Sequence, residues 1–293
     1  MDELLFSYAE RTDPPLKRNL IRLVEKATGQ RQLKQLYLDH ALHPVPSETF
    51  FQSAVRRLEL DVQFDPEALA RIPAAGPLVV VANHPYGVLD GIVISWLVEQ
   101  VRRDFLVLTH AALSRAPETQ PHMLAVDFSG GVEAQTTNLR SRARARQHLA
   151  EGGCVVVFPA GAVSTAPDRL GRRPAVDAPW QPFTAQLIQR SRASVLPVCF
   201  EGQNSRAFQI ASHLSQTLRL SLIFREVRNR IGSRLSVAIG APIPPETLAG
   251  WTDRTLLADE LRRLTYALAD TFRVQPRATG RSASPLALLS RRA

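Results

Sequence analysis

His84 and Asp90 flank a five-residue stretch in "VANHPYGVLDG", residues 81–91. An imidazole is the side chain best suited to take up a proton near neutral pH. A carboxylate beside it can hold the ring in one tautomer and stabilise its charged form. Six steps along a continuous helix turn through about 240°, at about 100° per residue, so the pair shares no helical face and must straddle a junction. Pro85 stops a strand ladder, Gly87 permits a positive-φ turn, and Asp90 falls in or just before the first turn of a helix. The carboxylate can then fold back onto one ring nitrogen while the other faces a pocket at the strand's end. A plainer reading of the same residues has Asp90 capping its helix and His84 closing a buried strand.

The elements that must place this pair are legible as short apolar runs. They are "PLVVVA" (77–82), "DFLVLT" (104–109), "HMLAVDF" (122–128), "CVVVFP" (154–159), "SVLPVCF" (194–200) and "LSVAIG" (235–240). Between them, "DGIVISWLVEQVRRD" and "TTNLRSRARARQHLAEGG" read as helices, the second starting at a threonine cap and stopping at a glycine pair. Continuous apolar strands alternating with helices predict an α/β domain with a largely parallel central sheet flanked by helices, whose ligands bind where strands end. No internal repeat is present.

With 293 residues and 45% hydrophobic content, the chain suits one large domain or a domain with an extension. Cys154 and Cys199 lie in strand-like runs without metal-ligand spacing, so they read as buried free thiols in a reducing compartment; no metal is expected. No run approaches the roughly 20 apolar residues of a membrane span, and the acidic start "MDELLFSYAE" lacks the basic lead of a signal peptide, which places the protein in the cytoplasm. The formal charge of +9 implies an anionic partner. Low aromatic content and the lack of any base-reading motif argue against nucleic acid and leave an anionic membrane surface. In residues 16–38, Leu16, Leu20, Leu23 and Ala27 form one stripe with Lys17, Arg18, Arg22 and Lys26 around it, and the pattern resumes after Gly29. This amphipathic helical extension, residues 1–60, either docks on the core or contacts the membrane. The α/β domain is expected over 61–275, with a flexible basic tail over 276–293.

A second strand-to-turn junction, "CVVVFPAGAVS", is followed by a proline-rich loop with Arg169, Arg172 and Arg173, and then by "SVLPVCFEGQNS". Together with the histidine block and in this order, these residues resemble the glycerolipid acyltransferase family, whose first block is NHxxxxD, third FPEGTRS, and fourth an apolar strand around VPV. The likeness runs from about Leu16 to Pro245. It is nearest the branch of hemolysin-like proteins and lyso-ornithine-lipid acyltransferase domains, which carry NHPxGxxDG and FPAGxVS. The resemblance implies a peripheral O-acyltransferase on the inner face of the cytoplasmic membrane. It would move an acyl group from an acyl carrier protein or coenzyme A thioester to a lysolipid hydroxyl, with no bound cofactor. It implies His84 as general base and Asp90 as its orienting acid. Asn83, Tyr86, Gly87, Phe158, Pro159, Gly161, Ser164, Arg169, Arg172 and Arg173 are expected around the substrates, with main-chain N–H groups at Gly87 and Gly161 as oxyanion donors and Ser164 shaping its turn.

The departures narrow the acceptor. Five residues separate His84 from Asp90 where the wider family has four. Ala160 and Val163 stand where the third block usually has Glu and Arg, and Phe128 where the second has Arg. Those groups help hold a phosphate, which argues against lysophosphatidic acid and for a lysolipid with an amino-acid head group, such as lyso-ornithine lipid. Two other activities use the same residues: hydrolysis by a thioesterase or lipase, and lipid binding without catalysis. Arg140, Arg142, Arg144 and Arg146 spread around a helix and read as solvated charge, with membrane phosphate contact as the second reading, and His110 reads as a structural histidine or as part of the same pocket.

Overall fold

The computed structural model describes residues 15–110, 117–127 and 130–274. One sheet contains β1 (Asp61–Gln63), β2 (Leu78–Ala82), β3 (Phe105–His110), β4 (Met123–Val126), β5 (Cys154–Val157), β6 (Ser194–Phe200) and β7 (Arg234–Ile239). Their order is β1-β7-β6-β2-β5-β3-β4, and every neighbouring pair is parallel except β6 with β7. The expected largely parallel α/β architecture is therefore present, and six strands coincide with the apolar runs. β1 has no such run: it is three residues of mixed polarity, held at the sheet edge by pairing with β7 alone.

The connections hold α1 (Pro15–Thr28), α2 (Gln30–Leu42), α3 (Phe50–Arg57), α4 (Pro66–Ala70), α5 (Val88–Glu99), α6 (Gly131–Ala150) and α7 (Pro182–Ser191). After them come α8 (Arg206–Leu214), α9 (Gln216–Ser221), α10 (Ile223–Asn229), α11 (Pro245–Leu248), α12 (Arg254–Ala267) and α13 (Thr271–Val274). Strand side chains alternate between two cores. Leu78, Val80 and Ala82 face one cluster with Phe51, Leu89 and Phe224, whereas Val79 and Val81 face another with Leu149, Ile188 and Leu261. All five residues of β2 have no exposed surface, and each Val or Leu so buried contributes about 1.5–3 kcal/mol. That makes β2 the rigid post on which the histidine turn stands.

One expectation needs correction. α6 begins at Gly131 after Gly130, not at a threonine; the Thr136 hydroxyl instead donates to the Val132 carbonyl inside the helix. The helices before residue 60 dock on the core, which is one of the two readings given for them: Leu33 and Phe51 belong to it, and the Phe51 ring lies 5.8 Å from that of Phe105. In α1, Ile21 is buried, and Leu23 is 66% exposed. The side chains of Leu16, Lys17, Leu20, Lys26 and Ala27, together with Phe128 and the tail 276–293, lie outside the described residues. Among the described residues no helix is long and apolar enough to cross a membrane. Cys154 and Cys199 are buried and unbridged, and burial pushes both thiols up to about 12.

Candidate active site

β2 and β5 are parallel and in register, with Val81 opposite Val157, so both turns leave the sheet on the same edge. Gly87 is the N-cap of α5, with φ 75°, a conformation that strains any residue bearing a Cβ. A Cβ there would also meet the Val163 side chain at 3.1 Å. This bend folds Asp90, the third residue of α5, over the turn. Its Oδ2 accepts the N–H groups of Tyr86 at 2.8 Å and Gly87 at 2.9 Å and lies 3.0 Å from His84 Nδ1. One carboxylate thus caps the helix and orients the imidazole, so the two readings of the pair describe the same geometry. The approach to Nδ1 is close without being aligned as a hydrogen bond, a common state of unliganded catalytic pairs. Asp90 is fully buried, and that burial raises its pKa against the opposing pull of His84 and the two N–H groups.

His84 is braced by both loops. Its ring stacks on Phe158 with centroids 4.1 Å apart and 29° between planes. Its own N–H donates to Asp177 Oδ1 at 3.1 Å, and its carbonyl accepts the Ser164 N–H at 2.8 Å. The Ser164 hydroxyl donates to the same Asp177 oxygen at 2.6 Å, and Trp180 Nε1 donates to the other at 2.9 Å. Ser164 is therefore a strut of its turn. Asp177, a lone acid in "PAVDAPW", ties the histidine turn to the third block, and nothing in its sequence neighbourhood marks it.

The side chains of Asn83 and Tyr86 are engaged by main-chain groups outside the cavity lining. The Asn83 amide donates to the Phe200 carbonyl at 2.9 Å and accepts the Phe200 N–H at 2.7 Å. The Tyr86 hydroxyl donates to the Glu201 carbonyl at 2.7 Å, with the Arg230 guanidinium 4.5 Å from its ring centre. Both clamp the end of β2 to β6. Gly202, with φ 104°, leaves the room that the tyrosine needs, since a Cβ there would fall 2.0 Å from the hydroxyl.

A cavity of about 450 Å³ opens beside His84. The motif turns contribute Gly87, Phe158, Pro159, Gly161 and Val163; β3 contributes Leu108, Thr109 and His110; α6 contributes Asn138, Ser141 and Arg142; and α9 contributes Gln216 and Arg219. His110 thus joins the pocket. Of the two main-chain donors expected for an oxyanion, the Gly87 N–H donates to Asp90 and the Gly161 N–H to the Phe158 carbonyl at 3.0 Å. Arg169, Arg172 and Arg173 are exposed and absent from the cavity wall. Their loop curls around Asp168 instead, whose carboxylate accepts the N–H groups of Arg172 at 2.8 Å and Arg173 at 2.7 Å. The cations on the wall are Arg142, stacked 4.6 Å over the Phe183 ring, and Arg219. Arg140, Arg142, Arg144 and Arg146 are all exposed, as expected.

The sequence pattern of a family described as acyltransferase matches residues 15–231. This chain belongs to the acyltransferase family. The lyso-glycine lipid O-acyltransferase of Phocaeicola vulgatus is 24% identical over 230 residues, covering 72% of this chain and 78% of its own. Among solved structures, the 1-acyl-sn-glycerophosphate (LPA) acyltransferase of Thermotoga maritima aligns over 96% of this chain and 89% of that one, with 16% identity and a TM-score of 0.49. Within this acyltransferase the five-residue turn between His84 and Asp90 bends at Gly87. The third block carries no charged side chain into the cavity: Ala160 is buried, and Val163 packs against Gly87 and the core.

Proposed function

We propose that this acyltransferase moves a fatty acyl group from a coenzyme A or acyl carrier protein thioester to the hydroxyl of a lysolipid whose head group is an amino acid. The observation that carries the reading is the His84 ring. Its Nδ1 lies 3.0 Å from a buried carboxylate, and the residue lines a cavity large enough for a head group and part of an acyl chain. A lipid hydroxyl is too weak an acid to attack a thioester unaided, so Nε2 takes its proton as the oxygen bonds to the thioester carbonyl carbon. The tetrahedral adduct collapses with cleavage of the C–S bond, and the imidazolium returns the proton to the departing thiolate. Asp90 holds the tautomer that makes this possible and stabilises the imidazolium between the two steps.

The choice of acceptor is supported by the uncharged third block, which lacks a guanidinium fork for a phosphate dianion, and by the relative that acts on a lyso-glycine lipid. The net charge of +9 and the exposed Leu23 on α1 support work as a peripheral protein on an anionic membrane face, which in a cytoplasmic protein is the inner one. The test is kcat/KM with one acyl thioester and two acceptors, lyso-ornithine lipid and lysophosphatidic acid. Preference for the amino-acid lipid is expected. Preference for lysophosphatidic acid above about tenfold, some 1.4 kcal/mol, overturns the acceptor assignment. Release of free fatty acid regardless of acceptor makes the protein a hydrolase, and no turnover of any thioester makes it a lipid binder.

A further inference from the structure

Arg219 reaches the cavity from α9, outside every sequence block discussed above. It is half-buried. One guanidinium N–H donates to the Val163 main-chain carbonyl, and the group lies 5.7 Å from the centre of the Phe208 ring. Among the described residues no carboxylate pairs with it. Burial lowers its pKa, with no acid pulling the other way. A guanidinium has five N–H donors; here one is used within the protein, and the wall it stands on is largely apolar. Holding such a cation away from water without a counter-charge costs stability, a cost relieved when an anion enters the site.

Its position gives the anion a place in the reaction. Val163, whose carbonyl Arg219 grips, stands where the acyltransferase family usually carries the third-block arginine, and its side chain packs on Gly87 beside His84. A guanidinium from a distant helix thus reaches the turn from which the local one is missing. Arg142 enters the same cavity from α6.

We propose that Arg219, assisted by Arg142, forms an oxyanion subsite that takes the head-group carboxylate of the acceptor and so directs its hydroxyl to His84. The proposal rests on the acyl-transfer reading given above. A planar carboxylate fits a bidentate fork with one donor already anchored, whereas a phosphate dianion calls for more cationic donors than this wall brings together. Arg219 is a specificity-determining residue here, with the proton transfer left to His84.

The test measures binding separately from turnover. In a His84→Ala background, which holds acceptor without consuming it, affinity is titrated for a 3-hydroxypalmitoyl chain amide-linked to glycine and for the uncharged glycinamide of the same chain. Arg219→Gln is expected to weaken the acid by about 10- to 100-fold, the range for a lost bond to a charged group. It should leave the amide within about 3-fold, and Arg219→Lys should fall between. In the active protein, the acyl-coenzyme A and acyl-pantetheine donors are compared for the same variant, since a donor phosphate is the other oxyanion able to sit on an arginine. Loss that follows the donor's phosphates, equal loss for acid and amide, or no loss overturns the proposal. If the unaltered protein acylates no acceptor, the functional reading falls, while acid-selective binding that depends on Arg219 still stands or fails on its own titration.

Discussion

The turn after β2 and the wall made by α9 face one cavity, but they are built in different ways. In the turn, the imidazole, its carboxylate, the positive-φ glycine and the two N–H groups that anchor the carboxylate all lie between residues 84 and 90. In the wall, a single guanidinium arrives from 135 residues beyond His84 and is fixed by a carbonyl 56 residues away. A site made by consecutive residues is constrained by local turn chemistry. One assembled from afar depends on how the whole sheet folds. On the proposals above, the first sets what reaction can occur and the second bears on which molecule enters.

This contrast can be broken at its strong end first. His84→Ala removes the proposed base and should lower kcat/KM by at least about 10³-fold with the fold intact by circular dichroism. Substantial transfer by the folded variant would show that the turn is only architecture.

Asp90→Asn should come next, slowing transfer by roughly 10²- to 10⁴-fold, because an amide can accept the Tyr86 and Gly87 N–H groups but cannot hold the tautomer or balance an imidazolium. Its effect on stability should have the opposite sign. Burial raises the Asp90 pKa, so the native state holds that proton more firmly than the unfolded chain does. Below the ordinary carboxylate range both states are protonated and nothing is lost. Above it the unfolded chain gains by ionising, and stability falls as pH rises through the raised native value. Asp90→Asn should therefore melt higher at pH 7, with the gain shrinking as pH falls into the ordinary carboxylate range. A lower Tm for the variant at pH 7 would mean that the pair with His84 outweighs desolvation.

The smallest effect is expected far from the cavity. Replacing Arg169, Arg172 and Arg173 with glutamine should leave kcat/KM for every acceptor within about twofold, as all three side chains are absent from the cavity wall and the loop is shaped around Asp168 by the main-chain N–H groups of Arg172 and Arg173. A selective rise in KM for a phosphate acceptor would return these arginines to the site.

Much of the frame was readable beforehand, and the reasons are local. Six strands announced themselves as apolar runs because a parallel strand is covered on both faces and needs no alternation with polar residues. β1 did not, since a three-residue edge strand is held by its partner's backbone and needs little from its own side chains. Among the site residues, Phe158 and Pro159 were found through their block. Asn83 and Tyr86 were expected around the substrates, yet their side chains bond the backbone of Phe200 and Glu201 at the end of β6. Proximity in sequence is a poor guide across a turn, where successive side chains leave in different directions.

The amino-acid sequence by itself determined the chemistry that is close along the chain: a histidine and an aspartate separated by Pro85 and Gly87, a bend that lets a helix-capping carboxylate meet an imidazole, and a sheet edge where such turns collect. Those features follow from backbone sterics and hydrogen-bond reach over a few residues. Tertiary structure alone decided that Asp177 locks the two turns together, that the loop arginines face away, and that Arg142 and Arg219 enter the cavity. Each of these depends on the packing of helices whose order along the chain carries no trace of which wall they will form.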